Sequence, residues 1–442
     1  MIKSCQFMIF GATGNLTYLK LLPAIYGLYK EGELCNAFQL VCIGRKRLNL
    51  DQYLESLDLK YTKQLEFETF KNHIIYKQMD FSDKKSYECL QDYLGAKNWI
   101  FYLATAPRYF ETITTYLNDY GYLKEIVGFR RIVFEKPFGA NFHDAKSINK
   151  HISKILEESQ IFRIDHYLGK EMIQNILLTR AYNSFFELLW HHDAIDYFEI
   201  VISEKSGVKN RGGYYDQSGA MKDMVQNHMF QIVSLLAMDL PETLIPESIQ
   251  EEKAKVLKKI EVTDNIVIGQ YNGYLNEKGI DEKSKTETFV ALEVKVHTKR
   301  WKDVPFYLKT GKAMVEKYAH IVVHFKKNHT LAKDNILVIQ VQPEEGIMLR
   351  VNSKEPGVSN NVTPVMMDYC HSCLKYGDEP SAYGRLLLDI ILGDKSLFAS
   401  WSEIESSWLA IDKLQKPELV IYDKNKPWES HIVLEKGWWQ RD

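Results

Sequence analysis

The chain has 442 residues, and this length predicts two or three domains because a single core stops growing beyond roughly 250–300 residues. Apolar residues make up 45% and charged residues 26%, which is typical of a folded globular protein and excludes wholesale disorder. Lys and Arg total 56 against 58 Asp and Glu. This balance argues against nucleic acid as a main partner, because polyphosphate binding needs a basic excess.

The sequence has no apolar run of the roughly 18 residues that a membrane span needs, so we expect no membrane partner. The apolar run at 5–10 is too short for a signal peptide, and we expect a cytoplasmic protein. The six cysteines lack the spacing of a disulfide framework, which indicates reduced thiols. Cys370 and Cys373 form a CxxC pair without a second pair, so we expect no metal.

In the first 163 residues, short apolar runs alternate with helical patterns. The runs predict strands over 5–10, 38–43, 73–79, 99–104, 131–134 and 160–164. The helical patterns cover 16–29, 86–94 and 144–157. Alternation of continuous apolar strands with helices predicts a doubly wound, parallel sheet, so residues 1–163 form a Rossmann-like α/β domain.

From residue 164 to 442 the pattern changes to strands with few helices between them. Helices are predicted over 171–190, 217–238, 381–392 and 403–414. Strands are predicted over 194–203, 266–271, 288–296, 321–325 and 336–341. This pattern therefore predicts a larger β+α domain over residues 164–442, with a large, mainly antiparallel sheet.

The first chemical motif is GATGNL at residues 11–16, between a predicted strand and a predicted helix. Its glycines permit a tight turn and close approach of the backbone to a pyrophosphate at the helix N-terminus, which favours dinucleotide binding over an ordinary turn. The second strand is followed by Arg45, Lys46 and Arg47, where an NAD site usually has an acid. Arginine donates two parallel hydrogen bonds to a 2′-phosphate, so this run favours NADP over NAD, with Arg45 as the first candidate. The alternative is that the three cations are only a solvated charge cluster.

Two further motifs follow predicted strands. EKPFG at 135–139 follows the fifth strand, where Lys136 would donate to a substrate oxygen or to the nicotinamide end of the cofactor, and a cis Pro137 would place its neighbours unusually. The alternative is that the motif is only a strand-terminating turn. RIDHYLGKE at 163–171 concentrates Asp165, His166 and Tyr167 before Lys170, which begins a helix. An extended backbone would point Asp165 and Tyr167 to one side and His166 to the other. These groups beside a helix N-terminus suit a phosphate monoester.

RGGYYDQSGAMKDMVQNH at 211–228 runs from a glycine turn into a predicted helix. In an α-helix, Asp223 and His228 would stand about 140° apart, so they share a pocket only if it wraps around the helix. A lone helical histidine is more commonly structural than catalytic.

Together with VPFYLKTGK at 304–312, these motifs resemble the glucose-6-phosphate dehydrogenase family and stand in that family's order. The resemblance covers about residues 5–400. It implies oxidation of the C1 hydroxyl of glucose 6-phosphate to the lactone, with NADP as hydride acceptor. It also implies that the larger domain binds substrate and supports a homo-oligomer, a dimer or a tetramer.

The resemblance also assigns roles to residues. His228 matches the catalytic base, and Asp165 matches the carboxylate that pairs with it. The matches to substrate-binding positions are Lys136, His166, Tyr167, Lys170, Glu204, Asp223, Lys312, Lys317 and Lys20. The matches to cofactor-binding positions are Gly11, Ala12, Thr13, Gly14, Asn15, Leu16, Arg45 and Lys136. Many relatives read GDLAKKK after the glycine turn, and of that basic run only Lys20 is present here.

Two other functions remain open from the sequence. One is an NAD(P)-dependent oxidoreductase of an unphosphorylated sugar, against which Lys170 and the adjacent helix start argue because they suit a phosphate. The other is a non-catalytic NADP-binding regulator, which would have no need for His228 and Asp165.

Overall fold

The computed structural model describes residues 5–35, 37–56, 65–93, 97–329, 332–358, 360–371, 373, 381–415, 417–428 and 433–440. The described residues divide into two compact units. Unit 1 lies within residues 1–169, 245–247 and 378–401, and unit 2 lies within residues 170–244, 248–377 and 402–442. The domain boundary expected after residue 163 stays a prediction.

Unit 1 is built on a parallel sheet. Its strands among the described residues are β1 Gln6–Phe10, β2 Gln39–Gly44, β3 Ile74–Gln78, β4 Trp99–Leu103, β5 Arg130–Phe134 and β6 Ile161–Arg163. Their order is β3-β2-β1-β4-β5-β6, so the chain winds outward in both directions from β1. Strands β1 and β4 are buried along their whole length, which is why they read as continuous apolar runs. The predicted fold class of this part is confirmed.

Unit 2 contains a larger mixed sheet. Its strands among the described residues are β7 Ile195–Ser203, β8 Ile260–Tyr271, β9 Phe289–Val296, β10 Pro305–Gly311, β11 Tyr318–Phe325, β12 Ile336–Gln342, β13 Gly346–Lys354, β14 Val362–Cys370 and β15 Leu419–Tyr422. Their order is β14-β13-β12-β11-β7-β10-β9-β8-β15. Within this sheet β7 pairs with β10 in parallel, as β8 does with β15, and the other pairings are antiparallel. The prediction of a large, mainly antiparallel sheet is confirmed.

Helices flank both sheets. The α-helices of the described residues are α1 Leu22–Lys30, α2 Leu50–Glu55, α3 Leu65–Lys71, α4 Phe110–Asp119, α5 Phe142–Ile152, α6 Glu171–Tyr182, α7 Ser184–Leu189, α8 Gly212–Ala220, α9 Phe230–Ala237, α10 Pro246–Leu257, α11 Ala382–Leu392 and α12 Trp401–Asp412. Two π-helices, Thr17–Leu21 and Met221–Met229, precede α1 and α9, and Lys84–Tyr93 is a 3₁₀-helix. Shorter 3₁₀ turns are Pro107–Tyr109, Glu158–Gln160, Lys209–Arg211 and Tyr274–Asn276.

Helix α11 belongs to unit 1 although it comes late in the chain. Its apolar residues share one buried core with α1 and with strands β1, β2 and β4. The guanidinium of Arg131 donates from Nη1 to the carbonyl oxygens of Ile390 and Ile391, at 2.5 and 2.9 Å. These carbonyls are in the last turn of α11, where a cation is favourable.

Two long predicted helices are interrupted. The helix predicted over 171–190 breaks at Asn183, whose backbone is extended and whose side-chain nitrogen donates to the carbonyl of Thr179 at 3.0 Å. The helix predicted over 217–238 contains Gly219, which has a non-helical backbone with φ of +66°. In both cases a local polar or glycine residue overrides the apolar helical pattern.

The expectation of six reduced cysteines is wrong for one pair. Cys370 and Cys373 form a disulfide at the end of β14, whereas Cys5, Cys35, Cys42 and Cys89 are free. Among the described residues, none of the helices is both long enough and apolar enough to span a bilayer.

Candidate active site

In unit 1, the glycine turn at residues 11–16 is fixed by the backbone of the neighbouring strands. The N–H groups of Gly11 and Ala12 both donate to the carbonyl of Ile43, each at 2.9 Å. Gly11 has φ of +96°, and a Cβ there would lie 2.3 Å from the carbonyl oxygen of Ala104. Only glycine therefore fits this position, as the motif predicts.

Arg45 lies at the same edge of the parallel sheet as this turn. It comes directly after β2, which is the parallel neighbour of β1, and its side chain is exposed. Because parallel strands end at a common edge, the turn and Arg45 flank one another as a dinucleotide site requires. Lys20 is exposed on the π-helix Thr17–Leu21 and makes no hydrogen bond or ion pair within the described chain.

Lys136 follows β5 at this edge and is half-buried. The preceding Glu135 is buried, and its Oε1 accepts a hydrogen bond from the hydroxyl of Tyr102 at 2.5 Å. Burial raises the pKa of Glu135, although the Tyr102 hydroxyl and the charge of Lys136 oppose that shift. The peptide bond between Lys136 and Pro137 is cis.

The residues after β6 form a turn, so the extended arrangement expected for 164–167 is wrong. Asp165 is 5% exposed, and its Oδ1 accepts a hydrogen bond from the backbone N–H of Tyr167 at 2.9 Å. This side-chain bond closes a local turn in place of an extended strand. The rings of His166 and Tyr167 therefore lie beside each other, with centroids 5.0 Å apart.

In unit 2, Lys170 is the N-cap residue of α6, as the sequence predicts. Its Nζ donates to Oε1 of Gln342 at 3.1 Å, at the end of β12. The ammonium group thus lies at the start of a helix, where the helix dipole and free N–H groups favour an anion.

Glu204 and Lys312 are neighbours in unit 2 although 108 positions separate them. Glu204 follows β7 and Lys312 follows β10, and these parallel strands pair in register at Ser203 and Gly311. The Lys312 ammonium forms an ion pair with Oε2 of Glu204. The backbone N–H of Glu204 also donates to the carbonyl of Gly311 at 2.9 Å, which fixes the two side chains relative to each other.

Tyr215 of α8 connects this pair with Asp223. The Lys312 ammonium lies 5.1 Å from the centre of its ring. Burial raises the pKa of Tyr215, and the negative charges of Asp223, Glu287 and Glu204 raise it further. Its buried hydroxyl has no hydrogen-bond partner among the described residues. Tyr215 lies in the motif at 211–228, but its contact with Lys312 joins residues far apart in the chain, so the sequence pattern does not predict it.

Asp223 and His228 lie on the π-helix Met221–Met229, not on an α-helix. The hydrogen bond of a π-helix joins residue i to i+5, so residues five apart stand one turn from each other on the same side. The expected separation of about 140°, which assumed α-helical geometry, is therefore wrong. Asp223 is 5% exposed and His228 is fully buried.

Glu287 anchors the start of this π-helix and was not predicted. Its Oε1 accepts a hydrogen bond from the backbone N–H of Met221 at 3.1 Å. Its backbone carbonyl accepts a hydrogen bond from the N–H of Ala220 at 2.9 Å. A Cβ on Gly219 would lie 2.5 Å from this carboxylate oxygen. Glycine at 219 is therefore needed for the close approach. Lys317 is exposed in the loop before β11 and has no ion pair in the described chain.

Comparison with known proteins gives a consistent result. Residues 8–175 match the family described as "Glucose-6-phosphate dehydrogenase, NAD binding domain", and residues 177–427 match its C-terminal domain. A glucose-6-phosphate 1-dehydrogenase of Bacillus subtilis is 39% identical and aligns over 92% of this chain and 90% of its own. That of Borreliella burgdorferi is 36% identical over 100% and 99% of the two chains.

Solved structures agree with the sequence comparisons. A glucose-6-phosphate dehydrogenase in complex with its substrate glucose 6-phosphate superimposes with a TM-score of 0.91 at 30% identity, covering 100% of this chain and 99% of that chain. The glucose-6-phosphate 1-dehydrogenase from Mycobacterium avium gives a TM-score of 0.88 at 27% identity, covering 99% of each chain.

The glycine turn on a doubly wound parallel sheet, followed by a mixed sheet that carries paired acids and lysines, defines a Rossmann-type oxidoreductase fold with a separate β+α unit. Identity of 35–39% with curated relatives over most of the chain narrows this class to one family. The chain belongs to the glucose-6-phosphate dehydrogenase family.

Proposed function

We propose that this chain oxidises the C1 hydroxyl of glucose 6-phosphate to 6-phosphogluconolactone with NADP as acceptor, the first step of the oxidative pentose phosphate pathway. The observation that carries the proposal is the family membership, with relatives of this name aligned over nearly their whole length. The motif residues assigned to the base, its carboxylate and the sugar-binding acids are all present.

His228 acts as the general base that accepts the proton of the C1 hydroxyl. A neutral imidazole suits this role, since its reference pKa of about 6.5 lies near the working pH. Asp165, as an ionised carboxylate, would fix the tautomer of the imidazole and stabilise the imidazolium that forms. The burial of His228 keeps water from competing for the same proton.

The remaining side chains orient the sugar phosphate. His166, Tyr167 and Lys170 bind the phosphate, with Lys317 as a further cation near the same group. Glu204, Asp223 and Lys312 hold sugar hydroxyls, and the ion pair between Glu204 and Lys312 supports this role because it pre-organises both groups.

The residues of unit 1 fit a dinucleotide. The turn at 11–16 precedes a helix at the carboxyl edge of the parallel sheet, and Arg45 supplies an exposed cation for a 2′-phosphate. Lys136 follows β5 at this edge and would contact both cofactor and sugar. When bound, NADP supplies the hydride-accepting nicotinamide, while the protein supplies alignment.

The test compares His228→Asn with the wild type by absorbance of the reduced nicotinamide. We expect turnover to fall by about a thousandfold, the typical contribution of general-base catalysis. Calorimetric binding of glucose 6-phosphate without cofactor should remain measurable. His143→Asn, an exposed histidine on α5, is the matched control and should keep full activity. A His228→Asn variant that retained a large part of the turnover would contradict the assignment.

Two substrate comparisons in the same assay separate the alternatives. Glucose in place of glucose 6-phosphate should give far lower kcat/KM, and equal values would favour an unphosphorylated sugar. Stoichiometric NADP binding without turnover of any hexose phosphate would favour a non-catalytic regulator.

We also propose a cytoplasmic homo-oligomer. Four of the six cysteines are free, as is usual in a reducing compartment. Strand β14 exposes an apolar set at an edge of the mixed sheet, comprising Val362, Val365, Met366, Met367 and Tyr369. Such a patch suits a second copy of the chain. Light scattering should give a mass of two or four chains, and Met367→Lys should shift it toward one.

A further inference from the structure

Glu135 in unit 1 is a buried carboxylate next to a residue of the proposed site. It comes directly after β5, immediately precedes Lys136 and is 7% exposed. A carboxylate that is removed from water costs much free energy unless hydrogen bonds or an opposite charge compensate for the lost hydration. The groups that satisfy Glu135 therefore indicate which part of the molecule it serves.

Three donors hold this carboxylate. The hydroxyl of Tyr102, on β4, donates to its Oε1 at 2.5 Å. The hydroxyl of Tyr383, on α11, and the backbone N–H of Lys136 also donate hydrogen bonds to the carboxylate. These bonds, together with the positive charge of Lys136, favour the ionised form of Glu135 and oppose the effect of burial on its pKa.

Helix α11 brings Tyr383 to this point because it is attached along β5 at both ends. Its last turn accepts a hydrogen bond from Arg131, near the start of β5, at the carbonyl of Ile390. Its first turn carries Tyr383, which donates to Glu135 just after the end of β5. The extended chain from Arg131 to Glu135 spans roughly 13 Å. The helix from Tyr383 to Ile390 spans roughly 11 Å, so both attachments can form in one orientation of α11.

The third hydrogen bond connects Glu135 directly with Lys136. Strand β5 ends at Phe134, and the backbone N–H of Lys136 donates to the carboxylate of Glu135. The charge of Lys136 also acts on this carboxylate. One side chain therefore fixes the backbone of Lys136 and attracts its ammonium group, and β4 and α11 fix that side chain in turn.

We propose that Glu135 is a positioning residue, which holds Lys136 in place for the cofactor and the sugar. Tyr102 and Tyr383 fix its carboxylate, as supporting hydrogen bonds do around a pre-organised site. The inference rests on the role proposed for Lys136. It goes beyond that role because it gives α11, a helix from the later part of the chain, a function in presenting a residue at the edge of the parallel sheet.

Calorimetry of NADP binding and kcat/KM for glucose 6-phosphate test the proposal. Glu135→Gln keeps the shape of the side chain but places an amide N–H₂ group opposite hydrogen-bond donors, so we expect NADP affinity and kcat/KM each to fall about tenfold. Tyr383→Phe keeps the packing of α11 and removes one donor, so both should fall about threefold. The matched control is Glu125→Gln. Glu125 accepts a hydrogen bond from the backbone N–H of Arg130 at 2.8 Å, at the opposite end of β5, and both quantities should stay unchanged.

A double-mutant cycle with Lys136→Met separates positioning from a merely structural role. If Glu135 acts through Lys136, Glu135→Gln should change NADP affinity and kcat/KM by less than about twofold once Lys136→Met is present. Its effect on the free energy of unfolding should persist in that background, because the bonds with Tyr102 and Tyr383 are still disturbed. The same cycle with Tyr383→Phe gives a second, milder test.

Three results would overturn the proposal. They are a full tenfold loss from Glu135→Gln in the Lys136→Met background, no loss from Glu135→Gln or Tyr383→Phe in the wild type, and unchanged NADP affinity and turnover in Lys136→Met alone. A failure of the proposed reaction looks different, since the wild type would then bind NADP without turnover of glucose 6-phosphate. In that case the NADP affinities of the cycle would still decide the role of Glu135.

Discussion

Both sheets place functional side chains after the carboxyl ends of parallel strands, but one sheet is wholly parallel and the other is mainly antiparallel. In unit 1, the glycine turn, Arg45, Lys136 and Asp165 follow four strands of one parallel sheet. In unit 2, Glu204 and Lys312 follow β7 and β10, a parallel pair within a mainly antiparallel sheet. Parallel strands bring their carboxyl ends together, so each sheet concentrates polar groups at such an edge.

The two edges differ in burial. Arg45 is exposed, and the turn beside it offers mainly backbone groups. Around Glu204, by contrast, Tyr215 and Asp223 are at most 5% exposed. Charges interact more strongly where water is excluded, so substitutions in unit 2 should disturb the site more than changes of exposed charge in unit 1.

The largest effects should come from the two glycines that allow close approach. Gly11→Ala places Cβ 2.3 Å from a backbone oxygen, whereas Gly219→Ala places it 2.5 Å from the Glu287 side chain. With positive φ at both positions, each variant should lose about 3 kcal/mol of unfolding free energy, and Gly11→Ala should lose more because backbone cannot rotate away. Chemical denaturation measures this loss.

Gly27 in α1 provides the control, since nothing lies within 4 Å of a Cβ at that position. Gly27→Ala should stabilise the protein by about 0.5–1 kcal/mol, as removal of a helical glycine does. An unchanged midpoint for Gly219→Ala would mean that Glu287 does not anchor the π-helix.

The next effect concerns the Glu204 and Lys312 pair. Glu204→Gln and Lys312→Met should each lower kcat/KM by roughly thirtyfold, or about 2 kcal/mol, the usual value for a hydrogen bond to a charged group. The double variant should be little worse than either single variant, because the two side chains act together. Additive losses would show that they act independently. Asp334→Asn, which breaks the partly exposed pair with Lys327, should leave kcat/KM unchanged.

A smaller effect should appear in the acid stability of the mixed sheet. Burial, with the charge of Lys309, lowers the pKa of His320 on β11 to about 3. The unfolded chain, with a pKa of about 6.5, therefore binds an extra proton as the pH falls. The free energy of unfolding should therefore fall by about 1.3 kcal/mol between pH 7 and pH 5.5. His320→Phe, which keeps the aromatic contacts with Tyr318 and Trp439, should remove this loss in denaturation measured at both pH values. An identical pH dependence in the variant would contradict this cause.

These examples show which parts of the molecule the sequence could predict. The edge of unit 1 was predictable, because alternating strands and helices force Arg45, Lys136 and Asp165 to one side of a parallel sheet. The contact between Glu204 and Lys312 was not, since it depends on one pairing of strands far apart in sequence. The π-helix carrying Asp223 and His228 was also missed. It is anchored by Glu287 from the loop before β9, and such a distant contact leaves no trace in the apolar pattern of residues 217–238.

The smallest effect should be a change of cofactor preference at the exposed edge of unit 1. Arg45→Ala removes the cation that would pair with a 2′-phosphate, so the ratio of kcat/KM for NADP to that for NAD should fall about fivefold to tenfold. Arg47→Ala changes an exposed arginine of the same run and is the matched control, expected to keep the ratio. A constant ratio in Arg45→Ala would assign the preference to another cation, whereas a fall seen equally in both variants would mean that the run acts only as a diffuse positive field.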